Sequence, residues 1–183
     1  MKHEATIIAR FAKKVAITAI ALCFMVSASA QQGEKSVGGH LSYYSESDLS
    51  MIGIGAKFRY NITDPIRLEG AFTFFLPKTE SFFGVKLKYH IWDFSANGHY
   101  VFNISDKFAL YPLAGLSVLG IKATGSGFGE SYTESQTKLF LNIGGGFDFK
   151  VADNIAITVE PKIMIGDSDG SLFMLSAGVV FAF

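Results

Sequence analysis

The 183-residue chain holds one cysteine, Cys23, and four prolines. Cys23 lies within an N-terminal apolar run, so removal of that segment would leave no thiol. Disulfides and thiolate-bound metals are then excluded. Leu22, rather than a small residue, precedes Cys23, which argues against lipidation. Excess positive charge is also missing. Beyond residue 30 the chain carries 12 Lys and Arg against 15 Asp and Glu, a net charge of −3. A nucleic-acid partner, which selects a basic footprint, is therefore not expected. Long apolar runs are lacking as well. The best later stretch, Phe108 to Ile121, is broken by Pro112, Gly115 and Gly120. A membrane-crossing helix needs about 20 apolar residues.

What is present begins with a leader. Lys2, Arg10, Lys13 and Lys14 precede an apolar run from Val15 to Val26, followed by Ala28-Ser29-Ala30. Basic start, short apolar centre and small residues at the end are the signature of a cleaved secretory signal. The expected division is residues 1–30 as signal peptide and 31–183 as one domain starting at Gln31.

That domain contains one turn motif in three versions. They are Phe58-Arg59-Tyr60-Asn61-Ile62-Thr63-Asp64-Pro65-Ile66, Tyr100-Val101-Phe102-Asn103-Ile104-Ser105-Asp106-Lys107-Phe108, and Phe147-Asp148-Phe149-Lys150-Val151-Ala152-Asp153-Asn154-Ile155. Two aromatics lead into a short turn with Asp, whose carboxylate can cap backbone N–H groups. Alternation places eight strands at Ser36–Tyr44, Ile52–Tyr60, Ile66–Leu76, Tyr89–Phe102, Phe108–Ile121, Thr137–Lys150, Ile155–Ile165 and Leu172–Phe183. The longer connections Ser45–Ser50, Pro77–Lys88, Lys122–Gln136 and Gly166–Ser171 fall at the opposite rim. Thr124–Gly129 reads as flexible loop, and Phe128 and Tyr132 are its candidate anchors for a partner.

Each strand has one apolar face. Ile52, Ile54, Ala56, Phe58 and Tyr60 alternate with Gly53, Gly55, Lys57 and Arg59, and the other strands follow suit. A soluble sandwich would bury the apolar face, whereas a membrane barrel turns it outward. Aromatics at the turn ends (Phe58, Tyr60, Tyr100, Phe102, Phe108, Phe147, Phe149, Phe181, Phe183) form the girdle that a lipid interface favours. The expectation is an all-β, eight-stranded antiparallel transmembrane β-barrel, with strands of about 9–11 residues sufficient to cross.

Eight strands leave an interior just wide enough for side chains. On this phase it holds Lys57, Arg59, Arg67, Glu69, Asp93, Asp148, Glu160 and Lys162, with Lys138 and Lys150 also directed inward. Buried charges require partners, so an ion-pair network is expected, with Arg67 beside Glu69 and Glu160 beside Lys162. Two features disturb the pattern. Pro112 and Pro161 lie within strands, and predict bulges or the rim. Leu87, Tyr89 and Ile91 share a parity opposite to that of Trp92, Phe94 and Ala96, which predicts a bulge near Ile91 or an unpaired extension.

The final Ser176-Ala177-Gly178-Val179-Val180-Phe181-Ala182-Phe183, with the turn motif and strand count, resembles the small outer-membrane β-barrel domain family, the OmpA/OmpX-like group of porin-family proteins. Leu110-Tyr111-Pro112-Leu113-Ala114-Gly115-Leu116 is similar to their mid-barrel strand. The resemblance spans Gln31–Phe183. It implies a bacterial outer-membrane location with both termini periplasmic, contact with outer-membrane lipid, and a monomer. Ser176, Gly178, Phe181 and Phe183 would be the insertion signal read by barrel-assembly machinery. With nothing after Phe183, the peptidoglycan-binding domain of longer relatives is not expected.

Activity is less determined. A hydrolase would need a His beside a nucleophile. His40 with Ser42, and His99 with Asn97 and Ser95, share strand faces but lack a nucleophile motif, so polar lining is the simpler role. Asp167-Ser168-Asp169-Gly170 starts like a calcium loop but has Gly178 where a Glu is needed. No cofactor and no enzyme activity are expected. A structural or surface-interaction role is the leading reading, a narrow passive pore the alternative, and a lipid-modifying enzyme the remote one.

Overall fold

In the computed structural model the described residues are 32–46, 49–82, 85–127, 130–166 and 170–183. The expected signal segment, Phe128 and Asp167-Ser168-Asp169 lie outside them. Ten strands form one sheet: β1 (Lys35–Glu46), β2 (Leu49–Asn61), β3 (Ile66–Phe75), β4 (Lys78–Phe82), β5 (Val85–Tyr100), β6 (Phe102–Asn103), β7 (Phe108–Gly127), β8 (Glu130–Ala152), β9 (Ile155–Gly166) and β10 (Ser171–Ala182). β4 continues the line of β3, and β6 that of β5, so the wall has eight staves. Neighbours are antiparallel, and β1 pairs β10 from Ser36↔Ala182 to Ser45↔Phe173, closing the cylinder. Closure leaves no sheet edge in the membrane-spanning wall, which hydrocarbon would punish at several kcal/mol per unpaired group.

The turns form as the sequence motif suggests, with a different capping atom. Ile66 N–H donates to Thr63 Oγ1 at 3.3 Å, and Phe108 N–H to Ser105 Oγ at 3.2 Å. In these two turns the hydroxyl one residue before the Asp does the capping, as Ser and Thr can in tight turns, while the third has Ala152 at that place.

Burial alternates along much of the wall, as in eBeBiBeBeB over β3. The exposed set is apolar: Leu41 and Ile54 are each 60% exposed, and Leu139 63%. The inward set contains the charges. Phe102 departs from the expected girdle: it is buried, its ring 4.8 Å from Tyr100.

Three sequence expectations need correction. First, β7 and β8 extend past the expected ends, pairing without interruption to Gly127↔Glu130. Lys122–Gln136 is largely a strand hairpin and Thr124–Gly127 is strand, not flexible loop. Most of Pro77–Lys88 is likewise the β4–β5 hairpin. On β8 residues 132–137 are exposed on both faces, so no apolar alternation marks that tip. Second, β5 has no bulge at Ile91; its register with β7 is continuous from Lys86↔Ser126 to His99↔Leu113. The extra residue sits in the facing stave, between Phe74↔Trp92 and Lys78↔Tyr89. Ile91 and Asp93 both point inward; it is the chemistry of the inner face that changes there. Third, neither proline causes a bulge. Pro112 pairs with Gly145 in register and both prolines face outward. On the β8–β9 side the pairing skips from Gly144↔Lys162 to Phe147↔Val159, beside Pro161, without a register shift. The shift lies between Lys150 and Ala152.

Candidate functional site

The lumen has two levels. Nearer the short turns, all eight charged residues named above are buried. Arg59 is the hub. Its Nε donates to Glu69 Oε2 at 2.7 Å, Nη1 to Asp148 Oδ1 at 3.1 Å, and Nη2 to Thr158 Oγ1 at 2.9 Å and Tyr111 Oη at 3.1 Å. Nη2 also lies 3.2 Å from Glu160 Oε1. Strand register explains part of this, because Arg59 stands directly opposite Glu69. Lys57 bridges Glu69, at 3.2 Å, and Glu160. Arg67 Nη1 donates to Asp148 Oδ2 at 2.7 Å and its Nε to His99 Nδ1 at 3.2 Å. Lys162 Nζ is 3.6 Å from Asp93 Oδ2. The partnerships thus run across the barrel: Arg67 pairs with Asp148 instead of Glu69, and Glu160 with Lys57 and Arg59 instead of Lys162. Four cations meet four anions. In this low-dielectric interior each buried charge needs its counter-ion, because removing one partner leaves the other charge desolvated and uncompensated.

Lys150 and Lys138 lie outside the group around Arg59. Lys150 is exposed at the turn-side mouth, beside the bulge, and lines a cavity of about 120 Å³ there with Arg59, Arg67 and Asp148. Lys138 is half-buried.

Sequence reasoning missed Tyr111, Thr158 and His99 as members of the network. Tyr111 stacks on His99 with centroids 4.6 Å apart, and the Arg67 guanidinium lies 4.5 Å from its ring centre. Gly146 makes room: a Cβ there would meet the Tyr111 ring at 2.7 Å. The signal was an aromatic on the inner face of β7 opposite the run Gly144-Gly145-Gly146.

Above the ions a second level is apolar. Tyr44, Met51, Phe75, Ile91, Leu119, Phe140, Met164, Leu172 and Met174 form one buried cluster. Tyr44 and Phe75 meet edge to face at 5.5 Å. Between the levels lies a void of about 20 Å³, lined by His40, Lys57, Glu69, Thr73 and Glu160 among others. That is room for about one water.

His40 Nε2 bonds Thr73 Oγ1 at 3.0 Å, while Ser42 Oγ bonds Ser176 Oγ at 2.8 Å. Asn97 accepts from Asn142 at 2.8 Å. Each pairing joins two staves, and neither histidine is bonded to a serine among the described residues. Ligand atoms of Glu69, His99 and Glu160 lie within 4.8 Å of one another, the spacing of a metal site. Lys57 and Arg59 already neutralise both carboxylates, so a cation would have to displace them.

The C-terminal strand completes the wall. Phe183 N–H donates to Lys35 O at 2.8 Å. Ser176 faces inward, and Phe181 and Phe183 face outward, 48% and 73% exposed.

An apolar exterior around an ionic interior on a closed sheet is the arrangement of a membrane cylinder, and sequence comparison agrees. A family model described as outer membrane protein beta-barrel domain matches residues 16–183. The chain belongs to this family. Among solved structures, this outer-membrane barrel is similar to Ail, the attachment invasion locus protein of Yersinia pestis, at 24% identity over 84% of this chain and 100% of that one, with a TM-score of 0.60. The N-terminal β-barrel domain of Pseudomonas aeruginosa OprF aligns at 19% identity over 83% and 98%, TM-score 0.63. Neisserial surface protein A, NspA, aligns at 18% over 82% and 96%, TM-score 0.59. At these identities the likeness is one of fold. No curated protein sequence matches the chain. The protein is thus a bacterial outer-membrane barrel seated in lipid, and the exposed Leu, Ile and Phe rows are its lipid-facing surface.

Proposed function

We propose that this outer-membrane barrel is closed, non-enzymatic and monomeric, with a structural or surface-interaction role in the envelope. The observation that supports it most is the double closure of the lumen, first by paired ions and then by packed apolar side chains. A solute would have to dissolve both. Short turns belong on the periplasmic side in this architecture, which puts both termini there and the long β7–β8 hairpin outside. Tyr132, 72% exposed on that hairpin, is available to a partner. Ser176, Gly178, Phe181 and Phe183 serve as the insertion signal for the assembly machinery, the aromatics presented on the outer face of the closing strand. The test is planar-bilayer recording of the purified, heat-modifiable protein. A flat trace is expected, and a stable, large conductance would sink the closed-lumen reading in favour of a pore.

A further inference from the structure

The hairpins that project beyond the apolar level sort their charges by face. Ile91 and Leu119 fix the inward parity of β5 and β7. Lys88 and His90 on β5, and Lys122 on β7, therefore continue the outward row that carries Trp92. On β8 the same outward row offers Thr133, Ser135 and Thr137, while Glu134 falls on the opposite face. His90 stands directly across from Lys122, and Lys88 across from Thr124. The two lysines are diagonal neighbours, with stems about 7–8 Å apart. Both are exposed, and neither has a carboxylate partner among the described residues. His90 Nδ1 is buried without a hydrogen-bond partner. Next on that row is Trp92, stacked 6.3 Å from Phe72 and resting on Gly120. An aromatic followed by cations marks the passage from hydrocarbon to headgroups.

We propose that Lys88, Lys122 and His90 hold a phosphate group on a lipid headgroup of the outer leaflet. Two like charges on one face of adjacent strands repel. An anion set between them reverses that penalty, and this face carries no acid among the described side chains to do so. The height of the cluster just above Trp92 selects a headgroup. The proposal rests on the orientation given above, with the β7–β8 hairpin outside.

The test uses the full barrel folded in detergent and measures retention of diphosphoryl lipid A against dephosphorylated lipid A. Wild type is expected to favour the phosphorylated form by about tenfold. The Lys88→Gln/Lys122→Gln double variant should lose that preference while remaining heat-modifiable, and Lys138→Gln, on the inner face, should keep it. Equal retention of the two lipids would overturn the proposal, as would an unaltered preference in the double variant. Displacement by an equal concentration of inorganic phosphate would also overturn it, because the site would then bind a free anion. Orientation is read separately, by labelling Tyr132→Cys on intact cells with an impermeant maleimide. Labelling supports the outer-leaflet assignment; protection refutes it, even if the micelle result stands.

Discussion

The two levels of the lumen fill the same narrow cylinder by opposite means. Around Arg59, carboxylates, a phenol and a hydroxyl are set by direction, each donor aimed at its own acceptor. In the cluster that contains Phe140 and Met164, nine side chains are packed by shape. The ionic level depends on its members jointly, since removal of one charge leaves the remaining buried set unbalanced. The apolar level depends on volume, and a loss there is confined to the cavity it makes.

The largest effect should come from Arg59→Ala, which deprives Glu69, Asp148 and Glu160 of a shared cation. A loss of about 3–5 kcal/mol is expected from urea unfolding in lipid vesicles. A midpoint matching wild type would erase the distinction between the levels. Phe140→Ala should follow at about 3 kcal/mol, as an aromatic cavity, without opening a conducting path because the ions below stay paired. Bilayer current from that variant would show that the apolar level alone seals the barrel. A double-mutant cycle sharpens the contrast. Arg67→Met and Asp148→Leu should each destabilise, but together by less than their sum, with a coupling of about 1–3 kcal/mol. Strict additivity would mean that the 2.7 Å contact carries no energy of its own. Smallest is Tyr111→Phe, expected to cost about 1 kcal/mol in the same unfolding assay for the lost hydroxyl. A loss above that of Phe140→Ala would place Tyr111, rather than Arg59, at the hub.

The same contrast decides what could be read from the sequence. Alternation identified the staves, the outward face and the charged residues, because a charge between two apolar neighbours signals an inward position in lipid. It could not reveal their partners. Arg67 and Glu69 are close along the chain, but their contacts are made across the barrel by strands far apart in sequence. The apolar level was illegible for a related reason. Where Ile91 or Leu119 turns inward, both faces are apolar and the period-two signal vanishes, so a change of contents looks like a change of phase. The β8 extension above it fails in the mirror-image way, with polar residues on both faces from Thr133 to Thr137.

The match of four buried cations to four buried anions has an electrical consequence. Within this set each charge is answered by an opposite one, so the eight residues act at a distance as short dipoles and not as net charge. On the closed-lumen reading proposed above, such dipoles leave little net field along the bore to draw mobile salt inward.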